Sequence, residues 1–67
     1  MKRRILLETA RQIAESHATT FDLVREGANH SVFRCRDQNV IVPRHREINE
    51  ITAKSILRAV TEAAKEQ

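Results

Sequence analysis

The only glycine of the chain, Gly27, separates two stretches whose residues are typical of β-strands. Residues 21–26 come before it and residues 31–36 follow it. Glycine and asparagine both tolerate positive φ, so residues 27–29 are predicted to form a tight turn. We therefore expect a β-hairpin in the middle of the chain, with His30 just past its turn.

A third strand follows a turn that lacks glycine. Residues 40–42 are a β-branched run that ends at Pro43, which cannot continue a hydrogen-bonded ladder. Residues 37–39 are the predicted turn, in which Asn39 would adopt positive φ. The three strands would then form an antiparallel meander.

Helical spacing of apolar residues marks both ends of the chain. Residues 3–17 and residues 50–65 each carry an apolar stripe, and Asn49 is the predicted N-cap of the second helix. Arg4 and Glu8 lie four residues apart in the first helix and are predicted to form an ion pair on its outer side.

The resulting order of elements, α-β-β-β-α, predicts an α+β domain built in two layers. Both helices would cover one face of a three-stranded antiparallel sheet, and the other face would be open. A chain of 67 residues is expected to form one domain over residues 1–67. Such a short chain buries only about 60% of its unfolded surface, so we expect marginal stability.

Composition restricts the classes of function. The formal net charge of +3 is compatible with a polyanionic partner but does not identify one. Two aromatic residues are too few for reading single strands by stacking. No apolar run approaches the roughly 18 residues of a membrane span. Glu8 ends the short apolar run at residues 5–7, so the start of the chain lacks the pattern of a signal peptide. We therefore expect a cytoplasmic protein without membrane association.

Arginines on the predicted strands and loops form a candidate anion-binding surface. Alternation places Val32, Arg34 and Arg36 on one face of the sheet and Phe33 on the opposite, core-facing side. The basic loop at residues 44–46 could reach the first face or its edge. Arginine binds phosphate bidentately, and several arginines together can follow a polyanion backbone. The alternative is an ordinary charged surface in solvent.

His30 is the candidate catalytic residue because its place after the turn puts it at an accessible end of the sheet. Histidine both accepts and donates protons near neutral pH, since its ordinary pKa is about 6.5. An ordinary turn histidine is the alternative. His17, His30, His45 and Cys35 are widely spaced and lack the pairing typical of metal ligands. We therefore expect no metal site and no small-molecule cofactor.

Three short motifs follow one another in a fixed order through the middle of the chain. They are GANHSVFR at residues 27–34, VIVPRH at residues 40–45, and EIN leading into TAKSILR at residues 47–58. This ordered set resembles the HicA toxins of bacterial toxin–antitoxin modules. The resemblance runs from about residue 21 to residue 58, which is over half of the chain.

The resemblance implies a fold similar to a double-stranded-RNA-binding domain, in agreement with the predicted order of elements. It implies mRNA cleavage that is independent of the ribosome and of metal. It also implies a HicB-type antitoxin as partner, which covers the active face of the toxin in this family. The catalytic histidine of the family follows the glycine turn and matches His30.

On this hypothesis His30 serves as general base or acid, and Arg34 and Arg36 stabilise the charge of the phosphorane. His45 is a candidate for the second proton carrier. Two alternatives stay open: a non-catalytic RNA- or DNA-binding module of the same fold, and a relic that only binds its antitoxin. The candidate RNA-binding residues are Arg25, Asn29, Ser31, Arg34, Arg36, Arg44, His45 and Arg46.

Overall fold

The computed structural model describes residues 1–65 and has the predicted order of elements. The sheet is antiparallel, and its three strands lie side by side in the order in which they occur in the chain. This confirms the predicted α+β architecture, whereas the likeness to a double-stranded-RNA-binding domain stays a prediction. The elements are helix α1 (Arg3–Ser16), strands β1 (Phe21–Glu26), β2 (His30–Cys35) and β3 (Gln38–Pro43), and helix α2 (Glu50–Lys65).

One face of the sheet and the two helices enclose the core. Phe21, Phe33 and Val42 project from the sheet into this core and are buried. Leu6 of α1 and Val60 of α2 pack in the same cluster and are fully buried. Burial alternates along β2 and β3, as expected when only one face of a sheet is covered. The helices therefore leave the other face open, as predicted.

A β-bulge interrupts β1. Leu23 is opposite Phe33 and Arg25 is opposite Val32, so Val24 is the extra residue between the two pairs. An inserted residue moves the rest of the strand to the other face, because side chains alternate with period two. The bulge therefore places Arg25 on the open face, where uninterrupted alternation would have given it the core-facing side of Leu23.

The turn between β2 and β3 differs from the prediction. Cys35 pairs with Gln38, so two residues connect the strands instead of the predicted three at residues 37–39. Favoured two-residue turns need positive φ at a central position. Arg36 takes this conformation, with φ of 54°, and Asn39 lies within β3.

Side chains satisfy the backbone at the ends of both helices. The Oδ1 atom of Asn49 accepts a hydrogen bond from the amide of Ile51 at 2.8 Å, which confirms the predicted N-cap. The guanidinium of Arg36 donates from Nε to the carbonyl of Ala64 at 3.0 Å and from Nη2 to the carbonyl of His17 at 2.8 Å. Arg36 thus joins the C-terminal ends of the two helices, where a cation is favourable.

Candidate active site

An open hollow lies where the turn between β1 and β2 meets the open face of the sheet. His30 lines this hollow and is exposed, as predicted. Within residues 1–65 the imidazole of His30 makes no hydrogen bond, so both of its ring nitrogens can face a ligand. We name it the catalytic hollow after His30, the candidate catalytic residue. Its lining residues are Arg25, Glu26, Gly27, Ala28, Asn29, His30, Val32 and Ile41.

Close backbone contact holds the turn that carries His30. The amide of Gly27 donates to the carbonyl of His30 at 2.7 Å. A Cβ atom at Gly27 would lie 3.0 Å from that same oxygen. Neither Gly27 nor Asn29 adopts positive φ, so the predicted reason for glycine in this turn is wrong. A side chain at Gly27 would therefore force the carbonyl of His30 to shift by a few tenths of an ångström, so close approach of the backbone favours glycine here.

Arg44 binds the turn between β1 and β2 to the end of β3. Its backbone amide donates to the carbonyl of Asn29 at 3.0 Å, and its Nη1 donates to the carbonyl of Gly27 at 2.7 Å. Its Nε lies 3.7 Å from Oε1 of Glu26. Because these groups of Arg44 bind the turn, Arg44 helps to hold His30 in place, in addition to any contact with a ligand.

Ser31 lies beneath the turn and is fully buried. Its hydroxyl accepts a hydrogen bond from Nη2 of Arg3 at 2.9 Å and donates a short one to Oε1 of Glu26. Nε of Arg3 also donates to the carbonyl of Pro43 at 2.9 Å. Ser31 is therefore a structural residue, contrary to the prediction that it contacts RNA, because strand alternation directs it to the covered side of the sheet.

The hydrogen bond from Ser31 holds the pKa of Glu26 below its ordinary value. Desolvation of the carboxylate acts in the opposite direction and raises the pKa, and the charges of Arg44 and Arg3 lower it further. Glu26 is thus an ionised acceptor that links the buried Ser31 to the arginine holding the turn.

Acid is expected to weaken this link and with it the folded state. Because the pKa of Glu26 is lowered on folding, its stabilisation is present above the ordinary value of 4.5 and is lost as pH falls through the lower folded value. The Glu26→Gln variant should be less stable than the parent near neutral pH, and the difference should shrink as the pH falls below 4.5. Urea unfolding at several pH values measures this difference, and a pH-independent difference would contradict the assignment.

Arg25 is the arginine that shares the catalytic hollow with His30. The bulge directs it to the open face beside Val32, and within residues 1–65 its guanidinium makes no hydrogen bond or ion pair. Arg34 lies on the same face but four residues along β2 from His30, a distance of roughly 13 Å. Its Nε donates to Oδ1 of Asn39 at 3.3 Å. The structure therefore brings Arg25, and not Arg34, to the candidate catalytic residue.

The prediction that Arg36 shares the open face is wrong. Arg36 belongs to the turn and not to β2, so the alternation of the strand does not extend to it. Its guanidinium is bound to carbonyl groups at the ends of α1 and α2. This places Arg36 at the opposite end of β2 from His30 and removes it from the candidate site.

The loop between β3 and α2 carries the remaining predicted residues, His45 and Arg46, which are both exposed. Arg46 lines a second hollow together with Lys2, Arg3 and Arg4. The sequence analysis missed these three residues because the contact joins positions more than 40 residues apart. The run of three basic residues at positions 2–4 was the only signal, and it was considered only as the start of a possible signal peptide.

Neither helix of the described chain is long and apolar enough to cross a membrane. Among residues 1–65 no group of three or more His, Cys, Asp or Glu side chains is placed to hold a metal ion. Comparison of the sequence with protein-family models and with curated proteins gives no match, and no solved structure matches the fold. The resemblance to HicA toxins therefore stays a prediction carried by the three motifs.

Proposed function

We propose that the protein is the toxin of a toxin–antitoxin module and cleaves mRNA in the cytoplasm, independently of the ribosome and of metal. The observation that carries this proposal is the exposed His30, whose ring nitrogens are unbonded within residues 1–65, on a turn fixed by Gly27 and Arg44. The resemblance of the three motifs to HicA toxins supports mRNA as the substrate and a HicB-type antitoxin as the partner.

The chemistry follows from the groups that line the catalytic hollow. His30 takes the proton of a ribose 2′-hydroxyl while O2′ bonds to the adjacent phosphorus. The bond from phosphorus to O5′ breaks, and the departing oxygen takes a proton from a general acid or from water. The products are a 2′,3′-cyclic phosphate and a 5′-hydroxyl. The guanidinium of Arg25 is positioned to stabilise the phosphorane charge, in place of the Arg34 and Arg36 that the sequence suggested.

Apolar side chains complete the hollow on the side of the sheet. Val32 and Ile41 lie next to each other across β2 and β3, and Ile41 is 50% exposed. A base or ribose of the substrate can cover this apolar surface while the adjacent phosphate lies against the arginine. Burying apolar area in this way contributes binding free energy without sequence selectivity, so we expect cleavage at many sites.

Incubating the purified protein with an end-labelled mRNA transcript in EDTA tests the proposal. We expect cleavage without ribosomes, with 2′,3′-cyclic phosphate and 5′-hydroxyl ends on the fragments. The circular dichroism spectrum of the same sample should be that of a folded α+β protein. Folded protein that binds the transcript and leaves it intact would overturn the proposal and favour the non-catalytic RNA-binding module.

A further inference from the structure

The second hollow is lined by four cationic residues, Lys2, Arg3, Arg4 and Arg46, and by no acidic one. We call it the basic hollow. It lies where the start of α1 meets the loop between β3 and α2. The amide of Arg3 donates to the carbonyl of Arg46 at 2.8 Å, and Lys2 forms an isolated antiparallel bridge with Glu47. Backbone contacts therefore fix both segments that supply the cations.

The acids closest in sequence to this loop are paired with another group. Oε1 of Glu47 and Oε2 of Glu50 lie 3.8 Å and 3.1 Å from the N-terminal amine of Met1. The predicted ion pair between Arg4 and Glu8 is not formed. Within residues 1–65 none of the four cations of the basic hollow has a carboxylate oxygen within 4 Å of its charged nitrogens. Their charge is therefore available to an external anion.

Arg3 joins the basic hollow to the sheet end that carries His30. Its guanidinium donates to the carbonyl of Pro43, and Pro43 is the β-sheet partner of His30. This leaves three exposed cations for a ligand. The side chains are those of Lys2, Arg4 and Arg46.

The start of α1 adds to the positive field of these cations. It has no acidic residue in its first turn and no side-chain cap, whereas α2 begins with Asn49 as a cap and Glu50 in its first turn. The N-terminal end of a helix carries a partial positive charge that an acidic residue would offset. The cations are thus the main feature of the site, and the helix end strengthens it.

We propose that the basic hollow binds phosphate groups of RNA beside the scissile one, so that the backbone runs from this hollow to the catalytic hollow. The identity of the ligand rests on the proposed function. Arginine binds a phosphate bidentately and lysine binds it as a point charge. Both contacts are suited to binding an RNA backbone without sequence specificity. Each phosphate neutralised in this way releases counterions and makes binding depend on salt.

The salt dependence of RNA binding tests this site. The His30→Ala background keeps the RNA intact, and fluorescence anisotropy reports binding of a labelled single-stranded RNA at several KCl concentrations. Arg4→Gln with Arg46→Gln removes two cations of the basic hollow. Arg11→Gln with Arg58→Gln is the control, because it removes two exposed arginines elsewhere on α1 and α2 and changes the net charge equally.

We expect the slope of log K against log salt to fall in magnitude by about 1.4 in the basic-hollow variant. Each phosphate contact with a single strand contributes about 0.7 to the slope, and the variant removes two such contacts. The control should keep most of the parental slope. Equal slopes in the two double variants would overturn the site. The two proposals fail in different experiments. If the proposed function is wrong, the parent protein leaves RNA intact in the cleavage experiment, whereas the salt slopes of binding still show whether the basic hollow contacts RNA.

Discussion

Replacement of His30 by alanine is expected to slow RNA cleavage by roughly 10²- to 10⁴-fold, the usual contribution of a general acid or base. The fold should not change, because the ring is exposed and makes no hydrogen bond within residues 1–65. Only the backbone carbonyl of His30 takes part in the turn, and the substitution keeps it. Initial rates on an mRNA transcript, with urea unfolding of the same samples, measure both effects.

His45→Ala tests the candidate second proton carrier in the same experiment, since it removes the other exposed histidine at this end of the sheet. If His45 is the second proton carrier, its loss also slows cleavage. If it is only a loop residue, the rate stays near that of the parent. Inducing each variant in a bacterial host and following growth and transcript integrity extends the comparison to cells. Equal cleavage rates for the parent and the His30→Ala variant would refute the catalytic assignment.

The order of the elements could be predicted because its signals are local. Helical periodicity and an N-cap are recognised within a few neighbouring residues, and the bounds of β1 (Phe21–Glu26) and α2 (Glu50–Lys65) agree with the prediction. Turns and bulges depend on how two strands pair. The pairing of Cys35 with Gln38 moves the second turn, and the bulge at Val24 changes the face of Arg25.

The place of His30 was predicted from the glycine turn, but the groups that hold this turn were not. Arg3 meets Ser31 across 28 positions of the sequence, and Arg44 meets Gly27 across 17. No periodic pattern in the sequence predicts either contact. Their consequence is that Ser31, a predicted RNA contact, is buried beneath the turn, whereas Arg44 holds the turn and its contact with RNA stays a prediction.

Truncating Phe33 to alanine is expected to remove about 3 to 5 kcal/mol of stability, which is typical for a buried phenylalanine. Phe33 is 4% exposed and stacks on Phe21 with ring centroids 4.6 Å apart. A chain of 67 residues has a total of only about 3 to 10 kcal/mol at typical stability per residue. The loss is therefore between about a third of this total and all of it, and cleavage should fall with the fraction of the variant that unfolds.

The matched control for Phe33→Ala is Val32→Ala, which truncates the preceding residue on the open face of the same strand. Val32 is only half-buried, so its loss should cost about 1 kcal/mol and leave the core intact. Phe33→Leu separates aromatic stacking from volume, because it keeps most of the apolar side chain and should recover much of the stability. Urea unfolding followed by circular dichroism ranks the variants. Similar losses for Phe33→Ala and Val32→Ala would contradict a core that lies on one face of the sheet, and with it the open face on which the catalytic hollow depends.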